Sequence, residues 1–192
     1  MPLRFPVDHF DLIAPLYDKL IPPANIESLL KYGQFPLNGK VLEVGGGTGR
    51  VARELIKIQA NIFLLDRSFA MLRVATNHQD FKLTLGEAEH LPFMDNTFER
   101  ILLIDTLHHV VDARTTLLEC LRVLRIGGLL VIQEPDIEQW GGKLIAFFEK
   151  ALLMRSHLLP VAKVESILSQ QTNEITAIRA KHQYLIVCRK GN

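Results

Sequence analysis

Between Lys40 and Asp66 the chain reads KVLEVGGGTGRVARELIKIQANIFLLD, and no other stretch limits the available folds as strongly. Val41-Leu42-Glu43-Val44 is a short aliphatic run of the kind that forms a buried strand, and it breaks into Gly45-Gly46-Gly47-Thr48-Gly49. Apolar residues then recur at helical spacing at Val51, Ala52, Leu55, Ile56 and Ile58. A second aliphatic run, Ile62-Phe63-Leu64-Leu65, ends on Asp66. Strand, glycine loop, helix and strand together form the repeating unit of a doubly wound α/β sheet.

Glycines at a strand-to-helix turn keep side chains out of the space a ligand would use, and they are expected to turn backbone N–H groups toward it. An acid at the tip of the following strand, here Asp66, can accept hydrogen bonds from both hydroxyls of a ribose. An adenosine-type cofactor is implied. The dinucleotide fingerprint G-x-G-x-x-G is not met, because counting from Gly45 and Gly47 places Arg50 at the third glycine position. Glu43 would also stand awkwardly beside a pyrophosphate, whereas it suits a ligand that carries an ammonium and a sulfonium. A nicotinamide oxidoreductase is therefore the least favoured reading.

Glu43, Gly45, Gly47 and Gly49 match the acid-x-Gly-x-Gly-x-Gly loop, and here the chain resembles the class I S-adenosylmethionine-dependent methyltransferases, within them the type 11 and quinone methyltransferase-like branch. Further phrases carry the likeness. Phe81 to Phe93, with Gly86-Glu87-Ala88 and Leu91-Pro92-Phe93, is similar to that family's Gly-Asp-Ala … Leu-Pro-Phe motif, with Glu87 in the aspartate place. Leu121-Arg122-Val123-Leu124-Arg125-Ile126-Gly127-Gly128 resembles its helix-to-strand turn, with Ile126 where proline is usual. Near the N-terminus, the mixture of acids and aromatics from Asp8 to Asp18 resembles a phrase that forms helices over the pocket. The resemblance covers about residues 8 to 135.

The resemblance implies a Rossmann-like α/β fold, a sheet of seven mostly parallel strands with the last antiparallel and helices on both faces. It implies S-adenosyl-L-methionine as cofactor, held by Glu43, Gly45, Gly47, Gly49 and Asp66, with Arg67 and Met71 flanking the adenine and Glu87 and Ala88 at its edge. Helix core is the competing reading of Met71, and a solvated loop that of Glu87. A fourth strand, Arg100 to Ile104, ends at Asp105-Thr106-Leu107-His108-His109, so Asp105, His108 and His109 are expected between cofactor and acceptor. One of the histidines could take a proton from the acceptor; the alternative is that the pair only braces the loop. No metal is expected. The activity implied is methyl transfer to a small-molecule acceptor by in-line displacement, and the alternative is a non-catalytic S-adenosylmethionine-binding regulatory or partner protein.

Composition narrows the remaining classes. In 192 residues, 48% hydrophobic and 22% charged content is ordinary for one globular domain, and a net charge of +1 supplies no nucleic-acid footprint. One domain over 1–192 is expected, with a helical cap at 1–37, a cofactor-binding core at 38–135, and a helix with a terminal strand pair at 136–192. Cys120 and Cys188, without metal-ligand spacing, are expected as buried free thiols in a cytoplasmic protein. No run is long and apolar enough to insert stably in a membrane. His9, Phe10 and Tyr17 are candidates for the pocket wall, and amphipathic cover for one sheet face is the competing reading. Apolar residues at helical spacing from Trp140 through Phe147 and Phe148 to Leu152 suggest a helix, and Ser68 is placed to cap the helix after Asp66. Gly127-Gly128 is expected to stop the helix that begins at Ala113. The oligomeric state stays open, a homodimer included.

Overall fold

The computed structural model describes residues 9–20, 26–59, 61–76, 81–138, 157–172, 174–180 and 182–191. The expected pattern of residues 140–152 lies outside them. Among the described residues one sheet holds seven strands: β1 (Val41–Val44), β2 (Ile62–Asp66), β3 (Lys82–Leu85), β4 (Phe98–Ile104), β5 (Leu124–Pro135), β6 (Ile175–Ala180) and β7 (Gln183–Arg189). Their order is β3-β2-β1-β4-β5-β7-β6. The first five run parallel, and β7 is antiparallel to both of its neighbours, β5 and β6. The expected terminal hairpin is β6–β7.

Period-two alternation decides what each strand offers to each face. Leu42 and Val44 enter one apolar layer together with Leu103, Leu130 and Ile132, and Val41 enters the other with Leu64, Leu102 and Val131. Helices α5 (Ala113–Val123) and α6 (Val161–Leu168) cover the first layer through Leu117, Cys120, Val164 and Leu168. Helices α2 (Glu27–Tyr32), α3 (Arg50–Leu55) and α4 (Phe69–Ala75) cover the second through Leu29, Ala52, Leu55 and Leu72. Helix α1 (His9–Leu20) packs on α4. Burying both faces explains why β1 has no exposed position. Cys120 and Cys188 are buried and free. No helix among the described residues is long and apolar enough to cross a membrane.

Local signals were honoured with one exception. Ser68 Oγ accepts from the Met71 amide as N-cap of α4, and the Asp112 carboxylate caps α5 through Arg114 N and Thr115 N. Gly127-Gly128, however, does not end α5. The helix stops at Val123, Leu124 is already extended, and both glycines lie within β5. Pairing with β4 jumps there from Phe98↔Leu124 to Arg100↔Leu129, a bulge in which Gly127 takes φ +74°. Glycine signals a bend in both cases, so the pair alone does not distinguish a helix stop from a bulge.

Candidate functional site

Chain order reverses at β1: the first crossovers lead outward to β2 and β3, and β4 then returns to its other side. Such a switch point leaves a crevice at the carboxyl ends of the strands. The cleft found there is lined by Glu43, the loop Gly45–Gly47, Arg50 and Val51 of α3, Ile104 and Asp105 at the end of β4, and Tyr17 of α1.

The loop shapes this cleft by what it omits. At Gly47, with φ +56°, a Cβ would meet no clash, with Asp66 Oδ2 and Met71 Sδ each in ordinary contact at 4.0 Å. At Gly45, with φ +69°, it would lie 2.2 Å from Thr106 Cγ2. Gly45 is therefore required by packing against the turn after β4, and Gly47 keeps the cleft clear. The loop amides do not point outward as expected. Gly45 N and Gly46 N donate to Leu65 O, Gly47 N to Asp66 Oδ2 at 2.8 Å, and Gly49 N to Gly46 O. Gly49 closes the loop as N-cap of α3, over the Phe81 ring.

Two buried carboxylates flank Gly47. Glu43 accepts from Ala52 N at 3.0 Å, and burial pushes its pKa up to about 8. Its two oxygens can accept more bonds than this one amide supplies. Asp66 is likewise raised by burial, against the pull of the Ser68 and Gly47 amides. Arg67 follows it, half-buried, and its charge opposes the rise. Met71 is buried in α4 yet borders the space above Gly47, so both readings of it apply. Glu87 is exposed in the loop after β3, and Ala88 packs on the apolar layer beneath. Neither lines the cleft.

Beyond Ile104 the chain turns sharply, with Asp105 at φ +51°. His108 is buried, and its ring lies 3.9 Å from that of the half-buried His109. Behind them Glu134, at the end of β5, is fully enclosed. Its Oε1 accepts from Thr106 N at 2.8 Å and Leu107 N at 2.6 Å, and its Oε2 contacts His108 Nδ1. A carboxylate only accepts, so Nδ1 carries the hydrogen and Nε2 is left as the basic nitrogen.

Helix α1 closes the cleft from above. Asp18 accepts from Thr48 Oγ1 at 2.5 Å and pairs with Arg53 at 2.6 Å; burial alone would raise its pKa, but these bonds hold it below the usual range. Asp11 accepts from Ser68 Oγ at 2.5 Å. Phe10 meets the His109 ring edge-on at 4.9 Å, and the Arg50 guanidinium sits 5.7 Å over the Tyr17 ring. Tyr17 thus lines the cleft, while Phe10 packs on His109; His9 opens α1. Sequence reading missed Glu134, Arg50 and Asp18. An acid ending a strand was a usable signal for Glu134, since the same signal singled out Asp66.

A family profile described as a methyltransferase domain matches residues 42–132. The demethylmenaquinone methyltransferase of Thermotoga maritima is 39% identical over 118 residues, covering 58% of this chain and 51% of that protein. The chain spans about half the length of the curated relatives it matches. Among solved structures, the methyltransferase bound to the Haloferax volcanii Trm112 methyltransferase activator superposes with a TM-score of 0.77 at 16% identity, covering 98% of this chain and all of that one. A SAM-dependent methyltransferase of Thermotoga maritima gives 0.73 at 18% identity, over 95% of this chain and all of its own. At such identities the structural likeness shows the fold. With the profile match and the relatives' sequences added, the central part of the chain is similar to a methyltransferase domain, and the fold around it is that of S-adenosylmethionine-dependent methyltransferases.

Proposed function

We propose that this chain transfers the methyl group of S-adenosylmethionine to a small-molecule acceptor, a quinol ring being the class that the names of its curated relatives suggest. The observation that carries the reading is the pair of buried carboxylates, Glu43 and Asp66, on either side of the open position at Gly47. That donor set fits the cofactor. Glu43 suits an ammonium, and Asp66 has acceptor capacity left for ribose hydroxyls after its bonds to Gly47 N and Ser68 N. Arg67 and Met71 would border the adenine, with Glu87 and Ala88 at its edge and Gly45 and Gly49 setting the loop.

When bound, S-adenosylmethionine supplies an electrophilic methyl on a sulfonium, a good leaving group. The residues then have to align the acceptor and exclude water. Tyr17 of α1 covers the cleft, Phe10 packs between Tyr17 and His109, and Asp105 forms the wall on the β4 side. His109, half-buried and not clasped by Glu134, is the group proposed to take the acceptor's proton. His108, locked by Glu134, braces the turn.

Calorimetric titration with S-adenosylmethionine, S-adenosylhomocysteine and NADH tests the cofactor, and S-adenosylhomocysteine release with a demethylated naphthoquinol tests the reaction. Binding of both adenosyl compounds and not NADH is expected, with turnover reduced about 100-fold or more in His109→Ala. Unchanged turnover and pH profile in both His108→Ala and His109→Ala would remove the base. Cofactor binding without S-adenosylhomocysteine release from any acceptor pool would favour the non-catalytic alternative.

A further inference from the structure

We infer that Glu89 is a positioning residue for His109, holding from outside the turn that carries the two histidines. The inference rests on the proposed role of His109 as the base. Both ends of that turn are gripped by a carboxylate. At its entry Glu134 takes the Thr106 and Leu107 amides and the His108 ring. At its exit Glu89 Oε1 accepts from Val111 N at 2.7 Å and from Asp112 N at 3.2 Å. His108 and His109 lie between the two grips, with the His109 ring 3.9 Å from that of His108 and 4.9 Å from that of Phe10. Of the two acids in Gly86-Glu87-Ala88-Glu89, it is the second that reaches this turn.

Glu89 can locate the turn because its own loop is fixed on both sides. Before it, Gly86 N donates to Asp66 O at 3.0 Å; after it, Leu91 N donates to Glu119 Oε2 and Arg122 Nη2 donates to Leu91 O, each at 2.9 Å. The loop leaves β3, which has β2 and β1 between it and β4, so Glu89 reaches Val111 across 22 positions of sequence. Entry and exit differ in what the grip does. Thr106, Leu107 and His108 are buried, so Glu134 serves stability. Val111 is 87% exposed, and an amide freed there returns to water at little cost to the fold. A bond at so open a place contributes geometry instead: a reacting group misplaced by about 1 Å can lose about 100-fold in rate.

The experiment compares wild type, Glu89→Ala and Glu89→Gln by the ring-proton resonances of His109 and by S-adenosylhomocysteine release with a demethylated naphthoquinol, the turnover being measured in the His109→Ala background as well. Glu89→Ala is expected to shift the His109 resonances and to lower kcat about 10-fold, with S-adenosylhomocysteine affinity within about twofold and Tm within about 2–4 °C of wild type. Glu89→Gln keeps an oxygen that accepts both amides, and it is expected to restore the resonances and bring turnover to within about threefold of wild type. Added to His109→Ala, Glu89→Ala is expected to cost nothing further. Unmoved His109 resonances in Glu89→Ala, or an equal fall in kcat in both backgrounds, would overturn the assignment and leave the base reading standing. His109→Ala turning over like wild type would overturn the base reading, while shifted resonances would still support Glu89 as the residue that sets the ring.

Discussion

Glu43 and Glu134 are both buried glutamates at the carboxyl ends of neighbouring parts of one sheet, yet they are built for opposite purposes. Glu134 is closed off: two amides and an imidazole occupy its oxygens, and it fixes the turn from Thr106 to His108. Glu43 borders the cleft and receives one amide, that of Ala52. Its pKa of about 8 records the cost of burying a charge with so little compensation. The number of donors surrounding a buried carboxylate therefore separates a structural clasp from a group kept for a ligand. The carboxylate beside the glycine loop is under-compensated, and the one behind the turn after β4 has donors on both oxygens.

The contrast is sharpest at Glu134. Glu134→Ala strands two buried amides and the His108 ring, and is expected to cost about 3–5 kcal/mol in urea denaturation, whereas Glu43→Ala should cost clearly less. Equal costs would break the distinction. The glycines give the next largest effect. Gly45→Ala, with its Cβ 2.2 Å from Thr106 Cγ2, is expected to lose about 2–4 kcal/mol. Gly47→Ala should lose only about 1–2 kcal/mol, for its positive φ, while S-adenosylhomocysteine binding is lost.

The smallest effect is on protonation. A carboxyl whose pKa is raised on folding contributes stability that is complete below its ordinary value near 4.5 and is lost as pH rises through about 8. Stability of the ligand-free protein should fall across that window, and Glu43→Gln should flatten the fall. A cation in the cleft favours the ionised form. Titration of S-adenosylmethionine at neutral pH should therefore release protons, seen as a heat that varies with the buffer, and the release should vanish in Glu43→Gln. A buffer-independent heat in wild type would place the ligand's cation elsewhere.

The fold and the glycine-loop wall of the cleft were legible because their signals are local. The strand, the glycine loop, α3 and the acid at the tip of β2 occupy 27 consecutive residues at most, and the doubly wound sheet follows from that unit and its repetition. The turn after β4 is braced from a distance. Glu134 meets Thr106 across 28 positions and His108 across 26, and only the placement of β5 beside β4 joins them. Asp18 reaches Thr48 over 30. The glycine loop was recognised and its hydrogen bonding was not, because a loop's composition does not state where its amides point. Arg50 was visible only as a departure from a fingerprint until the cleft gave it a place.

The central pairing of β1 with β4 also has a kinetic side. Lys40 N meets Glu99 Oε2 across 59 positions, and the wall at Asp105 comes later still in the chain. Closing so long a loop is entropically slow compared with docking β1 on β2, which shares a local crossover. During synthesis the glycine loop and Asp66 can therefore assemble first, as half a site with one wall. The cleft itself comes into being only when β4 inserts, so the capacity to hold a ligand follows that long-range pairing, and a ligand that fills the cleft stabilises it.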